Sequence, residues 1–178
     1  MQEHERIENI FRYSSSSEEL FDAFQEALRH RIKSLDSFKI LLANPSLNPD
    51  EIKMFTEKLI TDIPQKAYDI NLWTAKIFEN YLTEYDRLED CINYYQRAHL
   101  HQPTLHEPLL KLLNLYNYDL DYPSNRKILN LIEDCVASVK YKSKVYYALA
   151  NHYKRIGDNR MEVKCLSLAE KEAGNEKI

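Results

Sequence analysis

The chain has 178 residues, enough for one substantial hydrophobic core or for one elongated helical array with a thin continuous core. Two glycines and six prolines against 44% hydrophobic and 29% charged residues are too few turn formers for a sandwich, a barrel or a doubly wound sheet, so the composition indicates an all-α protein. With 24 basic and 28 acidic residues the net charge is −4, which gives no global field to attract nucleic acid or an anionic membrane but leaves room for a local basic groove.

The opening MQEHERIENIF is charged where a secretory signal is apolar, and no apolar run reaches the roughly 18 residues that span a bilayer, so a cytoplasmic location is expected. The first helix is read at SSSSEELFDAFQEALRHRIKS, where Ser16 or Ser17 can cap and Glu18 and Glu19 suit the amino-terminal dipole. Leu20, Phe21, Phe24, Leu28 and Ile32 then share one face. A shorter helix runs from Leu35 to Ala43, stopped by Asn44-Pro45. Asn48-Pro49-Asp50-Glu51, a capping residue followed by proline, starts a third helix whose apolar face is Ile52, Phe55, Leu59 and Ile60 and whose end Pro64 marks.

From about Ala67 similar patterns return at a fixed distance. A shift of 34 places Phe78 on Leu112, Asn80 on Asn114, Leu82 on Tyr116 and Tyr95 on Leu129. A further shift of 37 carries Leu112 to Leu149, Leu113 to Ala150, Asn114 to Asn151, Tyr116 to Tyr153, Leu129 to Leu166 and Ile132 to Ala169. Between two such runs sits RIGDNR, with Gly157 at a position where a tight reversal makes positive φ cheap for glycine.

Tyr146, Leu149, Ala150, Tyr153, Gly157, Leu166 and Ala169 resemble the signature of the tetratricopeptide repeat, a family of 34-residue helix-turn-helix units. Gly174 stands where that family often has a helix-ending proline. Cys91, Tyr95, Ala98 and Pro103 in CINYYQRAHLHQP resemble the second half of such a unit, with Asp86 in place of the turn glycine; DYPSN lengthens the turn of the middle unit. QRA is also similar to the related half-a-TPR repeats of RNA-processing scaffolds. The resemblance covers residues 70 to 176. It implies a right-handed α-α superhelix, with residues 1–66 as an amino-terminal helical segment packed on three repeats over 67–178.

Chemistry is sparse. Cys91, Cys135 and Cys165 lie inside helical apolar patterns and read as buried small hydrophobes without a disulfide or metal. His99, His101 and His106 crowd into HLHQPTLH, which reads as a loop of exposed imidazoles rather than a metal site. Two glycines cannot build a phosphate loop, and no side chain sits in the context of an activated nucleophile, so neither an enzyme nor a cofactor is expected. Most of the 13 tyrosines are assigned to core packing, although Lys140, Lys142, Lys144, Lys154 and Arg155 near several of them could support base stacking.

Asn80, Asn114 and Asn151 recur in register, and the family resemblance implies that this position faces a concave groove. A row of amides can grip the backbone of a peptide without reading its side chains. Lys76, Leu110 and Tyr147 lie one turn earlier, with Lys111 and Lys144 nearby. The resemblance also implies a comparison with family members that clamp a terminal carboxylate: Lys76, Asn80 and Lys144 match three of the five positions, whereas Lys111 replaces the expected asparagine and Ala148 the expected arginine. The expected function is a non-enzymatic adaptor that binds a protein partner's peptide through Lys76, Asn80, Lys111, Asn114, Lys144, Tyr147 and Asn151. The alternatives are a scaffold or oligomer subunit that uses its edges and amino-terminal helices, and an RNA-binding array.

Overall fold

A computed structural model describes residues 3–32, 34–81 and 85–176, with the backbone alone at 85 and 86. These residues form ten α-helices and three single 3-10 turns, and among them there is no strand. The helices are α1 (Glu3–Tyr13), α2 (Ser17–Arg29), α3 (Leu35–Leu42), α4 (Pro49–Asp62), α5 (Ala67–Phe78), α6 (Tyr85–His101), α7 (Glu107–Asn114), α8 (Pro123–Cys135), α9 (Lys142–Ile156) and α10 (Asn159–Asn175).

Caps fix several boundaries. Ser16 accepts from the Glu19 N–H, and Asn48 closes a capping box in which its Oδ1 accepts from the amides of Asp50 and Glu51 while Glu51 accepts from the Asn48 amide at 2.8 Å. At the end of α9 the Gly157 amide donates to the Lys154 carbonyl at 3.2 Å and the Asp158 amide to the Tyr153 carbonyl at 2.9 Å, with Gly157 at φ 79°. This is a Schellman closure, and it explains the glycine in RIGDNR. Asp158 then caps α10 through the Met161 amide. The same closure ends α2 around Arg31, at φ 54°, where a Cβ makes the left-handed conformation costly.

The helices come in five successive pairs whose first members start at residues 3, 35, 67, 107 and 142. Odd-numbered helices form one layer: α1 packs on α3, α3 on α5 and α7 on α9, while Lys76 of α5 and Glu107 of α7 pair at 3.3 Å. Even-numbered helices form the other. Phe24 of α2 meets Phe55 of α4, Glu57 of α4 accepts from Tyr94 and Arg97 of α6, and Glu89 of α6 accepts from Ser124 and Lys127 of α8. The core runs between the layers. Packing within a pair is most extensive for α5–α6 and α9–α10 and slight for α3–α4 and α7–α8, whose first helices have only two turns each.

Residue 66 closes a 3-10 turn that joins α4 to α5 without a break in this order. The Thr56 and Thr74 hydroxyls meet at 2.9 Å inside the α4–α5 contact, and the Trp73 indole donates to the Lys39 carbonyl at 3.1 Å across α3 and α5. Helix α1 is a correction to the sequence reading, which began at Ser16. Its buried face is only Ile7 and Phe11, two apolar contacts hidden in a charged stretch. Two further corrections concern α10, which buries Cys165 and Ala169 but leaves Leu166 exposed and continues through Gly174. Asp86 falls within the first turn of α6 rather than in a turn of its own, and Leu82 lies outside the described residues.

Candidate functional site

Two of the three recurrent asparagines share one cleft. Asn114 is the last residue of α7 and Asn151 lies in the third turn of α9, and both line a cleft of about 360 Å³ with Leu113, Tyr118, Ala148 and Arg155. Both amides are exposed, and neither has a hydrogen-bond partner among the described residues. Each therefore presents one acceptor and two donors to whatever enters.

One wall of the cleft is built by the long α7–α8 connection. Asn125, buried in the first turn of α8, donates to the carbonyls of Asn117 and Leu120 at 2.8 and 3.0 Å and accepts from the Asn117 amide at 2.9 Å. The connection is thereby tied down with Tyr116 and Tyr118 turned onto α9. Tyr116 lies 4.4 Å from His152, edge to face, and the Tyr118 hydroxyl bonds His152 Nδ1 at 3.0 Å. The Arg155 guanidinium stacks 3.6 Å over the Tyr118 ring, which holds a cation at the rim. The sequence reading gave Ala148 as the place of a missing arginine. Arg155, seven residues on, is two helical turns away on the same face and supplies a guanidinium to the same cleft.

The other expected residues are placed differently. Asn80 lies beyond the end of α5, in the 3-10 turn Glu79–Tyr81, and is not a lining residue. Lys76 is taken by Glu107, to which Tyr68 also donates, so it is a link between α5 and α7 rather than a free clamp. Lys111 is half-buried outside the cleft lining. Lys144 sits 5.3 Å over the Tyr141 ring, as Lys140 does, and Tyr147, one turn before Asn151, is exposed but is not a lining residue. Helix α9 carries Lys142, Lys144, Lys154 and Arg155 and no acidic residue, so the local field beside the cleft is positive in a net acidic chain.

The histidines of HLHQPTLH are not an exposed loop. His99 and His101 belong to the last turn of α6, and His99 is buried with its Nε2 against Ser138 Oγ at 3.2 Å. His106 is half-buried beside Tyr141. These three do not converge; the one group of ligand-type side chains close enough together among the described residues is Glu3, Glu26 and His30, where Arg6 already binds both carboxylates. Burial pushes the thiols of Cys91, Cys135 and Cys165 up, away from the reactive thiolate, with Cys135 the least buried. Four tyrosines of the twelve with described side chains are buried and three exposed, with the rest between.

Desolvation holds His99, His106 and His152 below the ordinary histidine value of about 6.5, with the charge of Lys144 adding to it at His106 and that of Arg155 at His152. The folded state thus disfavours protons that the unfolded chain accepts. Stability should be level above about pH 7.5 and fall as pH drops through 6.5 towards the lower folded values. Carboxylates held low by partners, such as Glu57 beside Arg97, titrate only below this window. Melting temperatures taken between pH 7.5 and 5.5 test this, and a flat profile would show that the three rings are not held neutral.

Compared with protein-family models, curated proteins and solved structures, the chain matches none of them. No helix among the described residues is long and apolar enough to cross a membrane.

Proposed function

We propose that the chain is a non-enzymatic helical-repeat adaptor of tetratricopeptide-like type, which holds a peptide segment of a partner protein in the cleft between α7 and α9. The observation that carries this reading is the pair of unengaged amides, Asn114 and Asn151, facing one cleft beside the Arg155 guanidinium. Amides reach backbone N–H and C=O groups of any sequence, and the cation favours a segment with an acceptor or a carboxylate at that end. The 34-residue register and the glycine-closed turn of the last pair support the repeat assignment.

The test begins with capture of the partner from the native source by the full chain and mapping of its binding segment to a synthetic peptide. Asn114→Ala together with Asn151→Ala should leave the fold intact, because exposed alanines favour helix, yet should weaken that peptide. Two hydrogen bonds at about 0.5–1.5 kcal/mol each predict a loss of roughly 5- to 150-fold. Asn80→Ala should change little. Equal loss from Asn80→Ala, or none from the double variant, would remove the cleft as the site.

A further inference from the structure

His152 forms the floor of the α7–α9 cleft. It belongs to the lining, yet only 2% of it is exposed, and its Nε2 is enclosed without a hydrogen-bond partner among the described residues. A buried polar nitrogen left in this way costs folding free energy until something supplies a partner. Its proton is placed by its neighbours. Nδ1 lies 3.0 Å from the Tyr118 hydroxyl, and the Arg155 guanidinium stands against the same tyrosine. A cation there draws the hydroxyl oxygen towards itself and turns the hydroxyl proton to Nδ1. The imidazole then carries its own proton on Nε2 and is a donor.

Donors therefore reach the cleft from three directions: Asn114 from α7, Asn151 and, one turn on, Arg155 from the rim of α9, and His152 from the floor. No carboxylate lines it, and Arg155 has no carboxylate partner among the described residues. On α7, α9 and the α7–α8 connection the acidic residues are Glu107, which Lys76 neutralises, and Asp119 and Asp121, which are exposed and outside the lining. The basic ones are Lys111, Lys142, Lys144, Lys154 and Arg155. Such a site suits an acceptor-rich anion. A carboxylate is planar and offers two oxygens, and a nucleic-acid phosphodiester has two free oxygens and a single charge. A phosphoryl monoester has three terminal oxygens and nearly two charges, one oxygen for each direction. Resting on the peptide reading above, we propose that the cleft selects a phosphorylated serine or threonine of the partner, whose phosphoryl oxygens accept from Arg155, from the Asn114 and Asn151 amides and from His152 Nε2. The amide oxygens of the two asparagines remain to accept from backbone N–H groups of the same peptide.

The test uses three degenerate peptide pools, identical except for phosphoserine, serine or glutamate at the centre, titrated into the full chain by fluorescence anisotropy at physiological salt. The phosphoserine pool should bind about 10-fold or more tightly than either of the others. Arg155→Gln, a change at an exposed side chain that should leave the helical spectrum as it is, should weaken the phosphoserine pool by about 10- to 150-fold and the serine pool hardly at all. A direct readout needs no variant: in 1H–15N spectra of the full chain, N-acetyl-phosphoserine amide should shift the His152 Nε2 signal and the side-chain amides of Asn114 and Asn151. Equal binding of all three pools, still weakened by Asn114→Ala with Asn151→Ala, would overturn the phosphoryl assignment and leave the peptide cleft standing. Phosphoserine binding indifferent to Arg155 and to both asparagines would remove the cleft as well. The assignment also falls if no pool binds, if the His152 signal does not move, or if a single-stranded oligonucleotide competes as well as the phosphoserine pool.

Discussion

Replacing Phe24 with alanine should lower the unfolding free energy by about 3–5 kcal/mol, the range for an aromatic removed from a core that cannot collapse around the gap. Phe24 projects from α2 between two other rings, 5.9 Å from Phe38 of α3 and 4.9 Å from Phe55 of α4, both edge to face. All three are essentially inaccessible to solvent. The cavity would therefore open where three helices meet, and Phe24→Leu, which keeps most of the volume, should cost much less. Trp73, the sole tryptophan, stands at the joint of α3 with α5, bound to the Lys39 carbonyl under the Lys39 ammonium. Its fluorescence reports whether the loss stays within α1–α4 or spreads along the array, since each pair touches only its neighbours. Urea titrations followed by circular dichroism and by this fluorescence give the number; a cost below about 1 kcal/mol would mean that the aromatic cluster is not what holds the first four helices together.

Much of this architecture is legible in the sequence because it rests on local chemistry. Ser16, Asn48 and Gly157 announce helix ends through caps that need only a few neighbouring residues, and the structure has them where the pattern puts them. Ala98, Ile132 and Ala169, one register position in three pairs, are all fully buried. What was not legible depends on tertiary partners. Helix α1 has too narrow an apolar face to stand out, and its burial comes from packing on α2 and α3. Lys76 looks free in a sequence, but its pairing with Glu107, 31 residues on, follows from how α5 and α7 lie together. Arg155 was visible only as one of several cations near tyrosines; two turns of α9 from Ala148 put it on the same wall, and a loop tyrosine holds it there. Leu166 obeys the repeat pattern and is nonetheless exposed, because the pattern records where a neighbour would sit, not whether a described one is present.

Asn125 is where stability and the cleft are coupled, and Asn125→Ala should affect both. The buried amide makes three hydrogen bonds of 2.8–3.0 Å to the backbone of the α7–α8 connection, at Asn117 and Leu120. At about 0.5–1.5 kcal/mol each their loss costs roughly 1.5–4.5 kcal/mol, towards the upper end if the abandoned backbone groups find no water. Asn125→Asp should not rescue it, since a carboxylate keeps the acceptor but loses both donors. The connection also carries Tyr116 and Tyr118, which pack on His152, and Tyr118 is the ring under Arg155. Once released, that wall no longer fixes the guanidinium beside Asn114 and Asn151, so the partner peptide should bind more weakly even well below the melting temperature, where the helices remain. The two readouts separate the two claims. An unchanged melting temperature would mean that other contacts hold the connection; a lowered one with undiminished peptide affinity would mean that the tyrosine wall contributes nothing to the cleft, leaving recognition to the amides of α7 and α9 alone.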